Sequence, residues 1–150
     1  RMMEVLAPMK SFTIKMKKTG PMQFTTTFDK DFPELLFDEP VGSGGADKYP
    51  NASRILTAAV TNCLCASFTF CAMKSKIPVK EIEAQATCTT DRGDEGYWRI
   101  QKIEVKIIPT FGSDAPEKRK ERCLDIFQNY CVVSASVKKG IDIKVDVDLG

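Results

Sequence analysis

The sequence contains no histidine. That absence removes Ser-His and Cys-His nucleophile pairs and every zinc site with an imidazole ligand. Any chemistry falls to thiols, carboxylates, lysines, arginines and tyrosines. Net charge is also scarce: 22 Lys and Arg stand against 20 Asp and Glu, leaving +2. So even a balance gives no electrostatic case for a dedicated nucleic-acid binder. Two basic clusters, Lys10, Lys15, Lys17 and Lys18, and Lys118, Arg119, Lys120 and Arg122, read as solvated faces. No apolar run reaches the ~18 residues of a membrane helix. The most apolar stretch, Ile55 to Met73, is interrupted by Thr57, Thr61, Asn62, Ser67 and Thr69. The first residues lack the apolar core of a secretory signal. Six cysteines in 150 residues are too sparse for a disulfide-stapled miniprotein. The expectation is a cytoplasmic protein with mostly free thiols and neither membrane nor nucleic acid as partner.

What is present suits one globular domain spanning residues 1–150. A chain of this length buries roughly two-thirds of its unfolded surface and needs no disulfide to fold. Ser11 to Lys17 alternates apolar and polar residues, Thr19-Gly20-Pro21 marks a turn, and Met22 to Phe28 is rich in strand formers. Together they predict a hairpin, followed by a third short strand over Glu34 to Asp38. A Gly-rich acidic loop, Asp38 to Asp47, comes next. Asn51-Ala52-Ser53 offers a helix start, and the period from Arg54 to about Lys74 is helical. Apolar residues on nearly every face predict a buried central helix. Val79 to Thr90 and Tyr97 to Pro109 read as a long hairpin across the turn Asp91 to Gly96. Ser113 to Gln128 reads as an amphipathic helix, and Ile141 to Asp148 alternates cleanly as a closing strand. The order βββ-α-ββ-α-β predicts an α+β fold with mainly antiparallel sheets.

The chemistry centres on Cys63, Cys65 and Cys71 within the predicted helix. Cys65 lies about 200° round the helix from Cys63, so the two do not share a site. A Cys-x-Cys inside a helix is also poor geometry for zinc, and no metal or cofactor is expected. For each cysteine the plain alternative is an inert core residue, because free cysteine is among the most buried residue types.

Two further patterns carry a resemblance. Asp38-Glu39-Pro40 with Gly44-Gly45 leads into Pro50-Asn51-Ala52-Ser53-Arg54-Ile55-Leu56-Thr57-Ala58-Ala59-Val60-Thr61-Asn62-Cys63. Downstream runs Tyr130-Cys131-Val132-Val133-Ser134-Ala135-Ser136-Val137. The pair resembles the two cysteine motifs of the OsmC/Ohr superfamily, and the element order is similar over nearly the whole chain. The resemblance implies an intertwined homodimer with long central helices at its core and sheets wrapped round them. It further implies a thiol peroxidase acting on organic hydroperoxides. Cys63 would attack, Cys131 would resolve it as a disulfide, and an external dithiol would restore both. The second motif would lead into a terminal strand.

Departures from the pattern bear on activation. The family's acid after the helix-start proline is absent, since that position reads Ala52-Ser53. The N-terminal hairpin turn, Gly20-Pro21-Met22-Gln23, has no arginine. Substitute groups to consider are Glu39, Lys17 and Arg54. Arg54 precedes Cys63 by nine residues, about 13 Å along a helix and on the opposite face, so it does not serve its own Cys63 directly. The alternative function is a non-catalytic dimer of the same fold that binds a small apolar ligand or a partner.

Overall fold

The computed structural model describes residues 9–150 and divides after Ala52 into two compact units. The first unit holds a three-stranded antiparallel sheet. β1 (Lys15–Lys18) pairs with β2 (Phe24–Thr27), which pairs with β3 (Leu35–Phe37). The strands are shorter than the alternation suggests, and the four residues of β1 are all exposed.

The loop after β3 is organised by one carboxylate. Asp38 is 1% exposed and accepts from the backbone N–H groups of Glu39 (2.8 Å), Lys48 (3.0 Å) and Ala46 (3.3 Å), and from Gln23 Nε2 (3.4 Å). The Lys48 N–H leads in holding this carboxyl below the ordinary aspartate range. Burial opposes, and Glu39, Ala46 and Gln23 assist. The glycine pair has a steric reason: a Cβ on Gly45 would lie 1.8 Å from the Glu39 carbonyl oxygen.

The second unit is built on α1 (Ala52–Lys74) and a long hairpin of β4 (Val79–Arg92) and β5 (Trp98–Phe111). Burial alternates from Ile103 to the end of β5, where Ile103, Val105 and Ile107 are half-buried and Glu104 and Lys106 exposed. On β4 the inward set shifts from Val79 to Ile82, and a register irregularity between Val79 and Glu81 accounts for it. The core joins Phe68, Cys71 and Ala72 of α1 to Ile77, Cys123 and Phe127. The Phe68 ring meets Phe127 edge-on at 5.4 Å.

α1 departs from the expected all-round burial. Val60, Ser67, Phe68, Cys71 and Ala72 form one buried stripe, while Asn62, Ala66, Thr69, Phe70 and Met73 are exposed within this chain. By length and composition α1 is also apolar enough to cross a membrane, although the sequence reading finds it too interrupted. The interruptions are partly silenced: Thr57, Thr61 and Thr69 donate their hydroxyls to carbonyls one turn back, at 2.7–2.8 Å. The buried stripe, packed on the core cluster, is what a core helix presents.

Two expectations near the C-terminus are corrected. α2 (Glu117–Ile126) runs into a 3₁₀ turn (Phe127–Tyr130), and Cys131 then starts another helix, α3 (Val132–Lys139), rather than leading into a strand. Ile141 to Asp148 forms no strand and is exposed throughout. Its alternation is real, but it has no ladder to join among the described residues.

Candidate functional site

α1 carries Cys63 and Ser67 one turn apart, hence on one face. The 3₁₀ turn delivers Cys131 to the N-cap of α3. There its backbone is extended (φ −83, ψ 99) and its Sγ accepts the Ser134 N–H at 3.4 Å. The Cys63 thiol and the side chains of Ser67 and Ser134 lie around this sulfur, and the Ser134 N–H is its hydrogen-bond donor. Cys131 is 1% exposed, and Ser67 and Ser134 are buried beside it. Burial alone pushes the Cys131 thiol up, and the polar groups of Ser134, Cys63 and Ser67 around it more than reverse that, leaving the thiol below its ordinary range. The arrangement is a thiol pair in which one sulfur donates to the other, with polar groups arranged around the acceptor.

Cys63 and Cys131 are thus brought together. Arg54 is exposed near the start of α1, and the helix separates it from Cys63 as the spacing requires. Glu39 and Lys17 belong to the first unit. Lys17 is exposed on β1, and Glu39 lends its backbone N–H to Asp38, which is the acid that orders that loop. Ser67 and Ser134 escaped the sequence reading. The available signals were the i, i+4 spacing of Cys63 and Ser67, and Ser134 lying three residues after Cys131, where a cap makes its reciprocal contact.

Beside the pair lies a cavity of about 390 Å³ between α1, β5 and α3. Val60, Leu64, Ile103, Val105, Phe127 and Val137 give it apolar walls, and Ser134 adjoins the thiols. Lys102 and Lys138 stand at its polar side, the first paired with Glu104 (3.4 Å) and the second with Gln128 (3.3 Å). The other buried cysteines, Cys71 and Cys123, lie in the apolar core cluster. Cys71 donates weakly to the Cys123 carbonyl (3.9 Å) inside the core, and burial, with Cys71 adding, pushes the Cys123 thiol up to about 12. Burial also pushes Cys65 up.

Comparison with known proteins agrees with this architecture. The OsmC-like protein family model matches residues 45–146. No curated protein matches the sequence. An OsmC-like protein of unknown function from Vibrio cholerae superposes with a TM-score of 0.71 at 14% identity, covering 87% of this chain and 95% of that one. An organic hydroperoxide resistance protein OsmC from Legionella pneumophila superposes at 0.64 and 15% identity, covering 92% and 96%. An organic hydroperoxide resistance protein from Elizabethkingia anophelis, with thiocyanate bound, gives 0.62 and 18% identity over 86% and 89%. At these identities the structures speak for the fold, an α+β arrangement of antiparallel sheets and helices, while the family model covers most of the sequence. The chain belongs to the OsmC-like family.

Proposed function

We propose that this protein is a thiol-dependent peroxidase of organic hydroperoxides. Cys63 attacks the peroxide oxygen, releases the alcohol and becomes a sulfenic acid. Cys131 condenses with it to a disulfide, releasing water, and an external dithiol returns both to thiols. The single observation that carries this reading is the contact between Cys63 and Cys131, two cysteines far apart in sequence that meet among hydrogen-bond donors. The adjoining apolar cavity supports an organic substrate over hydrogen peroxide. So do the names of relatives such as those from Legionella and Elizabethkingia.

A homodimer belongs to the same proposal. The exposed face of α1 and the unpaired, alternating segment Ile141 to Asp148 are apolar surfaces that a second copy would cover. We place the protein in the cytoplasm, where reduced dithiols are abundant.

The test is treatment of the reduced protein with stoichiometric cumene hydroperoxide, followed by disulfide mapping. A fast Cys63–Cys131 bond, absent in Cys63→Ser, is expected. Thiols that stay free and unoxidised would sink the reading and leave the cavity's other use, a dimer that binds an apolar ligand without chemistry.

A further inference from the structure

The cavity beside the thiol pair carries more chemistry than an apolar pocket needs. Its hydrocarbon walls come from Val60 and Leu64 of α1, Val105 and Ile107 of β5, and Phe127. Its polar side receives a lysine from each of two elements. On α3, Ser134, Val137 and Lys138 stand at i, i+3 and i+4, so they share the face that lines the cavity. On β5 the lysine arrives through a bulge. Thr89 pairs with Lys102 but Thr90 with Ile100, so Gln101 is an extra residue in the ladder. Four consecutive residues, Ile100 to Ile103, thereby line the cavity, where a regular strand would turn alternate side chains away.

Both ammonium groups keep loose partners. Lys138 donates to the neutral amide oxygen of Gln128 at 3.3 Å, and Lys102 meets Glu104 at 3.4 Å with the two side chains 61% and 60% exposed. Contacts of that kind are weak and exchange readily. Glu104 offsets one of the two positive charges, so this side of the cavity keeps a net charge of one, which a single carboxylate matches. Ser134 adds a second requirement. It is 6% exposed, and its hydroxyl has no hydrogen-bond partner among the described residues. A buried hydroxyl left unpaired is costly, and a polar group on a ligand would satisfy it.

We propose that the cavity binds an amphipathic carboxylic acid, its chain on the apolar walls and its carboxylate on Lys138 and Lys102. Ser134 takes a polar group carried on the chain. Ser134 adjoins the thiols, and Lys138 lies one turn further along α3, about 6 Å of rise. The carboxylate thus sits away from the thiols and the chain's polar group beside them. On the peroxidase reading, on which the identity of that group rests, it is the hydroperoxide. The lysines are then specificity determinants that select hydroperoxy acids over neutral hydroperoxides.

The first half of the test uses no peroxide and is independent of the peroxidase reading. Decanoate and decanol share a chain and differ in the head. Each is titrated into the reduced protein and followed by the NMR amide shifts of Lys102, Ser134 and Val137. Decanoate should bind roughly 3-fold to 10-fold more tightly, the span that partly exposed charged contacts support, and the preference should shrink as salt rises. Lys102→Gln combined with Lys138→Gln should bring the acid down to the affinity of the alcohol, whereas Lys138→Arg should keep the preference. Val137→Trp, which fills the cavity, should weaken both ligands. The second half compares disulfide formation driven by a hydroperoxy fatty acid and by its methyl ester, and the acid should react faster at limiting concentration. Equal binding of acid and alcohol, a preference that survives loss of both lysines, or no binding of either overturns the proposal. An ester that reacts as fast as the acid overturns the specificity role. If decanoate binds as expected and the hydroperoxy acid forms no disulfide, the anion site stands and the peroxidase reading falls.

Discussion

Two pairs of cysteines lie side by side in this protein, and they differ in almost everything but composition. Cys63 and Cys71 occupy α1 eight residues apart; Cys131 and Cys123, also eight apart, meet them from the other side. The first pair sits among two serine hydroxyls and the start of a helix, and its inner thiol is drawn toward ionisation. The second sits among Phe68, Ile77 and Phe127, and its inner thiol is pushed up to about 12. Both inner cysteines are almost fully buried, at 1% and 0% exposure, so burial alone does not set where a thiol titrates; the polar groups that accompany burial do.

The largest contrast should appear in alkylation kinetics. With the titration of Cys123 near 12, its thiolate is scarce at neutral pH. Labelling of Cys131 should outrun that of Cys123, an equally buried thiol, by about 10³-fold or more, read by mass spectrometry of quenched time points. Comparable rates at the two thiols would erase the distinction.

Next in size is the apolar scaffold of the inert pair. Phe68→Ala removes the ring that packs on Phe127 and Phe111. A loss of about 3–5 kcal/mol in urea unfolding is expected, while the titration of Cys131 should change little.

A smaller effect sharpens the comparison further. Cys123→Ser places a hydroxyl in an apolar cluster and should cost about 1–3 kcal/mol. Cys131→Ser keeps an acceptor at the N-cap of α3, where serine is a favoured cap, and should cost less than 1 kcal/mol or so. Equal costs would mean that the two surroundings are not as different as their donors suggest.

The smallest effect is a pair of opposite pH slopes. Cys123 titrates higher folded than unfolded, so above about pH 9 the unfolded chain has lost a proton that the folded one keeps, and stability falls with pH toward about 12. Cys131 titrates lower when folded. Its contribution is complete above the unfolded value and is lost as pH falls through the folded one. Denaturation curves of Cys123→Ala and Cys131→Ala against the parent should therefore diverge in opposite senses, and slopes of one sign would contradict the contrast.

Much of the fold was legible because it is periodic. The β4–β5 hairpin follows from strict alternation, and α1 from a long helical repeat after Asn51. What escaped depends on partners in space. Val132-Val133-Ser134-Ala135 has the β-branched look of a strand, yet Cys131 caps it as helix α3. Ile141 to Asp148 alternates as a strand should, but alternation does not supply a neighbour. In the acidic loop the reading favoured Glu39, whereas the buried acid is Asp38, because a side chain that satisfies backbone N–H groups leaves no pattern in sequence. Cys63 and Cys131 were visible as motifs. Ser67 and Ser134 were not, since a serine announces nothing until something faces it.

The segment after α3 has a consequence for how the molecule comes into being. Ile141, Ile143, Val145, Val147 and Leu149 stand between 60% and 93% exposed, with Asp142, Lys144, Asp146 and Asp148 interleaved. If a second copy supplies the missing cover, maturation becomes a second-order event, and a newly made chain must wait for an encounter. The interleaved charges make that waiting period safer, since they interrupt the uniform apolar strands that stack indiscriminately. Dilution would then lengthen the vulnerable interval, so refolding yield should pass through an optimum concentration: too little protein leaves chains waiting, and too much brings the wrong encounters.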